Sequence, residues 1–253
     1  MVLSNIIELE TPLEPLSHVE RRTHDPVPPN YLRDDVTKLL NTLGSGGVAI
    51  APLDVAYAIL AATPQGIRRI FDAKSRSYEK PSGMFGNINM SAALHIMDTD
   101  RHAMVQQMVE AVGLPFSVVA PFREDHTFLA KVDPFVLQSS SKAGTLDMLL
   151  NAGQMHDEIA RQALERNMPV FGSSANLSLL GSKYRLADID AVVREAADIA
   201  FDYGLSQYAN HQGRSSTIID FRDFSVIRVG VLYQRLAGAF KDRFDVTLKE
   251  QTA

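Results

Sequence analysis

Segments whose apolar residues recur at helical spacing alternate along this chain with short apolar runs bounded by glycine or proline, and this alternation confines it to an α/β architecture. Leu32, Val36, Leu39, Leu40 and Leu43 fall on one helical face, and the glycines of residues 44–47 end that helix. Residues 48–52 then read as a buried strand. The pattern repeats: Val105, Met108, Val109 and Val112 mark a helix and 116–120 a strand. Met155, Ile159, Ala163 and Leu164 precede a strand at 169–172, and Ile189, Val192, Val193 and Ala196 precede one at 199–202. Residues 216–220 and 225–229 flank an Arg222-Asp223 turn and predict a hairpin. Helices alternating with strands plus one antiparallel pair predict a mixed sheet.

Residues 1–30 hold Pro12, Pro15, Pro26, Pro28 and Pro29 among charged residues without a sustained period, which predicts an extended arm. One domain over residues 31–240 follows, with a tail at 241–253. The N-terminus lacks a basic n-region, and the longest apolar runs, such as residues 118–122, are too short to cross a bilayer, so the expectation is a cytoplasmic protein without membrane contact. Cysteine is absent, which excludes disulfides, thiolate catalysis and cysteine-based zinc sites. A net charge of −5 gives no bulk attraction to nucleic acid, although Arg68, Arg69, Lys74, Arg76 and Lys80 form a dense local cluster.

Three segments carry candidate chemistry. Lys74 and Arg76, two residues apart, point to one side of extended backbone and suit a polyphosphate; a solvated basic loop is the plain alternative. In residues 169–176 an apolar run leads into Ser173, Ser174 and Asn176, which offer hydroxyl and amide groups at a strand end; a helix cap would use the same residues. In residues 213–220 a Ser-Ser-Thr run that includes Ser216 enters a strand, with Arg228 in the next one, where it reaches a carboxylate or phosphate or stays a surface arginine. The glycines at 44–47 lack the Gly-Lys-Ser/Thr of a phosphate loop, no serine sits in Gly-x-Ser-x-Gly, and there is no His-Glu-x-x-His.

Taken in order, these segments resemble the YrdC-like family, which includes threonylcarbamoyl-AMP synthase and YciO-type relatives. Residues 47–57 resemble its first strand and Pro-Thr-Asp-Thr-Val-Tyr-Gly loop. Phe71-Asp-Ala-Lys-Ser-Arg76 with Pro81 resembles its Lys-x-Arg motif and following proline, and residues 114–119 its Gly-Pro-Leu-Thr strand. Ser174-Ala175-Asn176 is similar to its Ser-x-Asn motif, and residues 215–220 and 227–230 to its Pro-Ser-Thr-Ile-Val-Asp and Arg-Pro-Gly segments.

The resemblance implies a twisted mixed sheet flanked by helices around an open, concave, basic surface. It implies that threonine's amine takes up bicarbonate and that the carbamate attacks the α-phosphate of ATP, expelling pyrophosphate; the threonylcarbamoyl-AMP formed serves tRNA modification. Lys74 and Arg76 would carry catalysis, and with Ser174, Asn176, Ser216 and Arg228 would bind ATP. Mg²⁺ would be held through the nucleotide phosphates. Asp54, Tyr57, Pro81 and Arg228 would contact the substrate acid. The chain departs from the pattern at Leu53 and Val55, which replace hydroxyls, at Ala58, which replaces glycine, and at Ser77, which replaces proline; a histidine is missing after Pro81. These departures keep two alternatives open: a relative that adenylates another carbamate or carboxylate, and a non-catalytic module binding double-stranded RNA.

Overall fold

The computed structural model describes residues 20–75, 77 and 80–250. The first half contains α1 (Pro29–Gly44), β1 (Ala49–Ala51), β2 (Ala58–Ala61), α2 (Pro64–Ala73), β3 (Gly83–Phe85), α3 (Ile88–Leu94), α4 (Thr99–Gln107) and β4 (Phe116–Pro121). The second contains α5 (Pro134–Gln138), β5 (Ser141–Lys142), β6 (Thr145–Leu150), α6 (Gln154–Glu165), β7 (Phe171–Ser174), α7 (Ala191–Glu195) and β8 (Ile199–Ala200). The chain closes with β9 (Thr217–Asp220), β10 (Ser225–Arg228), α8 (Tyr233–Phe244) and β11 (Lys249–Glu250).

Local chemistry explains where these elements start and stop. Pro29 opens α1, where its missing N–H costs nothing. Val36, Leu39, Leu40 and Leu43 then form its buried stripe, worth roughly 6–12 kcal/mol as an upper estimate at 1.5–3 kcal/mol per side chain. The helix ends at Gly44, and the chain turns away at Gly46, whose φ of +91° suits glycine. Thr63 caps α2 by accepting from Gly66 N, with Pro64 in the first position. Helix α4 widens into a π-helical turn at Met108–Val112 and stops at Gly113, φ +70°.

The strands form one twisted mixed sheet in the order β11-β10-β9-β4-β6-β3-β7-β2-β1-β8, with β5 paired to β6 at the side. Pairs β4–β9, β3–β6, β1–β8 and β10–β11 are parallel, and the others antiparallel. Strand alternation separates two faces. Phe116, Val118 and Ala120 of β4 and Leu146, Met148 and Leu150 of β6 are buried in the main core. Ser117, Val119, Thr145, Asp147 and Leu149 occupy the opposite face.

Several sequence expectations shift. The strand expected at 169–172 lies at Phe171–Ser174, because Ser173 and Ser174 pair with Ile59 and Ala58 of β2 and so belong to the ladder. The helix expected through Ala196 contracts to Ala191–Glu195, preceded by a 3-10 turn at Leu186–Asp188. The hairpin forms as expected, β9 against β10. Beyond residue 240, α8 runs on to Phe244 and β11 extends the sheet beside β10. The described part of the N-terminal arm lies against the domain: Arg22 bridges Leu205, and Glu20 pairs with Arg185. No helix among the described residues is long and apolar enough to cross a membrane.

Candidate functional site

The face opposite the core floors a cavity of about 1030 Å³. Strand register sets its floor in two rows. Arg228, Ile218, Ser117, Leu149 and Phe85 are successive cross-strand neighbours from β10 to β3. Beside them run Ser225, Asp220, Val119 and Asp147, and all nine residues line the cavity. Small residues keep the middle open. Gly83 pairs with Gly172. A Cβ on Gly172 would lie 2.6 Å from Ile59 O and 3.3 Å from Phe85, and one on Gly83 would lie 3.1 Å from Asp147 Oδ2.

Lys74, Ser174, Asn176, Ser216, Arg228, Tyr57 and Pro81 all line this cavity, so segments far apart in sequence meet at one place. Lys74 caps the C-terminal end of α2 and is 1% exposed. Its ammonium donates to Ser174 O and Asn176 O, while its own carbonyl accepts from Ser178 N at 3.1 Å. Lys74 therefore clamps the turn that follows β7, a charge-assisted arrangement stronger than neutral hydrogen bonds. Along that turn the hydroxyls of Ser173 and Ser178 are buried without a hydrogen-bond partner, and both residues line the cavity.

At the other end, Arg228 donates through Nε and Nη2 to Ser216 O, at 3.1 and 2.8 Å, and through Nη2 to Ser216 Oγ at 3.0 Å. Solvent reaches this guanidinium through the cavity, yet protein atoms ring it. That desolvation lowers its pKa from the usual 12.5, and the nearby negative charge of Asp147 opposes the shift. It stays a cation, aimed across a polar floor. Ser117 Oγ stands 3.4 Å from Ser216 Oγ. Lys80, Lys142 and Arg222 add positive charge at the rim, and Arg222 is paired with Asp220 at 2.6 Å. Among the described residues no group of three or more His, Cys, Asp or Glu could hold a metal ion.

Other expected site residues are placed differently. Arg76 lies outside the described residues. Asp54 does not line the cavity: its Oδ1 accepts from Thr23 Oγ1 at 2.6 Å, and a Cβ on Gly153 would lie 2.5 Å from its carboxyl carbon. Leu53 and Val55 join the main hydrophobic core, and Asp54 turns to Thr23 of the arm. Burial raises the Asp54 pKa, and the Thr23 hydrogen bond opposes this. Tyr57 reaches the cavity, but its hydroxyl engages Asp202 Oδ1 and Gly204 O, both at 2.8 Å. These bonds occupy the hydroxyl, and burial and the adjacent Asp202 raise its pKa.

Three of the described members of the cationic cluster read from the sequence are engaged within the protein. Arg68 stacks 4.0 Å from the Phe135 ring, Arg69 binds Asp198 at 2.9 Å and Ala196 O at 2.6 Å, and Lys74 is buried. The sequence reading missed Ser117, Asp147 and Ser178 as residues of this cavity. The available signal was alternation: Ser117 and Val119 interleave with Phe116, Val118 and Ala120, and Thr145, Asp147 and Leu149 with Leu146, Met148 and Leu150.

The structure is similar to several solved ones. It matches a hypothetical protein from Streptococcus mutans with TM-score 0.70 and 17% identity, over 93% of this chain and 100% of that one. It matches Sua5 from P. abyssi complexed with L-threonine with TM-score 0.67 and 15% identity; 92% of this chain is covered, which spans 63% of the Sua5 chain. It matches E. coli YciO with TM-score 0.60 and 16% identity, over 83% of this chain and 94% of that one. At these identities the likeness speaks for the fold. No curated protein matches the chain. The model of the Sua5/YciO/YrdC family, described as Telomere recombination, matches residues 41–230. Spanning well over half of the sequence, that match shows that the chain belongs to the Sua5/YciO/YrdC family.

Proposed function

We propose that this cavity binds ATP and a small carbamate or carboxylic acid and joins them as a mixed anhydride with AMP. The observation that supports it most is convergence. Lys74, Ser174, Asn176, Ser216 and Arg228, from three separate segments, line one cavity, with Ser173 and Ser178 beside them. These donors suit phosphate and ribose oxygens. In the reaction an oxygen of the acid attacks the α-phosphorus of ATP, the bond to the bridging oxygen breaks, and pyrophosphate leaves with its electron pair. Such chemistry needs positioning and charge neutralisation more than a covalent nucleophile.

The residues divide that work. Lys74 fixes the Ser174–Asn176 turn from behind, so its charge acts through the turn's geometry as well as through the field it adds. Arg228, oriented by three bonds to Ser216, is the candidate to face an anion, whether phosphate or carboxylate. Mg²⁺, carried by the phosphates, would offset their negative charge. The acid is taken to be of the threonine type, a carbamate formed from an amino acid and bicarbonate, in line with the P. abyssi Sua5 complexed with L-threonine; the product would then serve tRNA modification. Direct RNA binding has less support, since Arg68, Arg69 and Lys74 are engaged within the protein.

ATP–pyrophosphate exchange tests this directly. Exchange that requires an amino acid together with bicarbonate supports the reading. No exchange with any of a panel of amino acids and small acids, together with no binding of an ATP analogue, refutes it.

A further inference from the structure

The cavity is chemically divided along its floor. Its first row begins with the Arg228 guanidinium and ends with Leu149 beside Phe85. The apolar end is closed by the loop ahead of β2, which docks at the end of β6 through Asp54 N donating to Ala152 O at 2.9 Å. Between Leu53 and Ala58 that loop has two polar side chains, and the polar groups of both are engaged elsewhere, although Tyr57 itself lines the cavity. Asp54 is held by Thr23 at 2.6 Å and Tyr57 by Asp202 and Gly204 O at 2.8 Å. The loop residues that line the cavity are therefore Leu53, Val55, Ala56, Tyr57 and Ala58, all almost fully buried and none with a free polar group facing it. Ser174, the cross-strand partner of Ala58, marks the border with the polar end.

We propose that this apolar end receives the side chain of the acid partner, and that the preferred acid has the size and branching of threonine with a methyl group in place of the hydroxyl: the valine class. The proposal rests on the adenylation reading above and narrows its substrate. A ligand hydroxyl placed against Leu53, Val55, Phe85 and Leu149 leaves water without gaining a partner, which is costly. A methyl there gains apolar contact. An apolar pocket separates such isosteres by about 10–100-fold.

The test is calorimetry on the full chain in the presence of Mg²⁺, bicarbonate and a non-hydrolysable ATP analogue, titrating L-valine and L-threonine. The expected result is valine binding about 10–100-fold more tightly, with Val55→Thr, a near-isosteric change, narrowing that ratio. Threonine binding as tightly as valine, or more tightly, overturns the proposal whatever the variant does. Absence of binding by valine and related apolar acids overturns it too. Titration of the ATP analogue alone then separates the two levels: if the analogue binds, only the substrate assignment falls, and if it does not, the adenylation reading falls as well.

Discussion

Replacing Lys74 with methionine isolates the clamp on the turn after β7. Methionine keeps an unbranched side chain of similar length, so the cavity contribution is small and the lost ammonium dominates. Two carbonyls, Ser174 O and Asn176 O, lose their charged donor in a site where Lys74 is 1% exposed. At about 1.5–3 kcal/mol per charge-assisted bond, the loss is about 3–6 kcal/mol. Relief of the cost of burying a charge offsets part of it, leaving about 2–4 kcal/mol. Against a total stability of about 5–15 kcal/mol this is a large fraction. Urea denaturation followed by far-ultraviolet circular dichroism reads the stability change, and calorimetry with an ATP analogue reads the site. The expected result is a lower midpoint at unchanged slope, with nucleotide affinity lost by more than the unfolded fraction explains. An unfolding free energy within about 0.5 kcal/mol of wild type, the range of an ordinary surface substitution, together with intact nucleotide binding, would refute the clamp.

Three further outcomes are expected. Arg228→Ala weakens ATP-analogue binding by about 10–100-fold, the equivalent of about 1.5–3 kcal/mol for a charged hydrogen-bonding group, and unchanged affinity contradicts its role. Burial depresses the His95 imidazole to about 4 from the usual 6.5. The unfolded chain therefore takes its proton first as pH falls, so the stability due to neutral His95 is complete above about pH 6.5 and is lost toward pH 4, roughly 3 kcal/mol in all. His95→Gln should flatten the fall in urea midpoint across that window, and an unaltered slope contradicts the assignment. Thr23→Val removes the donor to Asp54 and costs about 1–2 kcal/mol. Because the raised Asp54 carboxyl needs that donor most when ionised, the cost should be larger at neutral pH than near pH 4, and equal costs at both contradict it.

Much of the architecture was legible because periodicity reports burial directly. The stripe Val36, Leu39, Leu40, Leu43 gave α1, and the runs at 116–120 and 216–220 gave strands that pair side by side as β4 and β9. The strand after residue 169 was set two residues early because its end depends on pairing with Ala58 and Ile59, which no local pattern encodes. The same limit applied to the site. Residue types and their order single out Lys74, Ser174, Asn176, Ser216 and Arg228, and these line one cavity. The direction of a side chain was harder to read. Asp54 looked like a ligand group until the arm residue Thr23 claimed it, and Tyr57 until Asp202 did; both partners are long-range contacts. Lys74 was read as a phosphate ligand, yet its ammonium is bound to two carbonyls that lie about a hundred positions further along the chain.

The most direct measurement is a crystal structure of the protein with Mg²⁺ and a non-hydrolysable ATP analogue. The account predicts the nucleotide on the cavity floor, its phosphates within hydrogen-bonding distance of Arg228 or Ser216 and its remaining polar atoms on the Ser173–Ser178 turn. A nucleotide bound on any other surface, or none bound at saturating concentration, contradicts it.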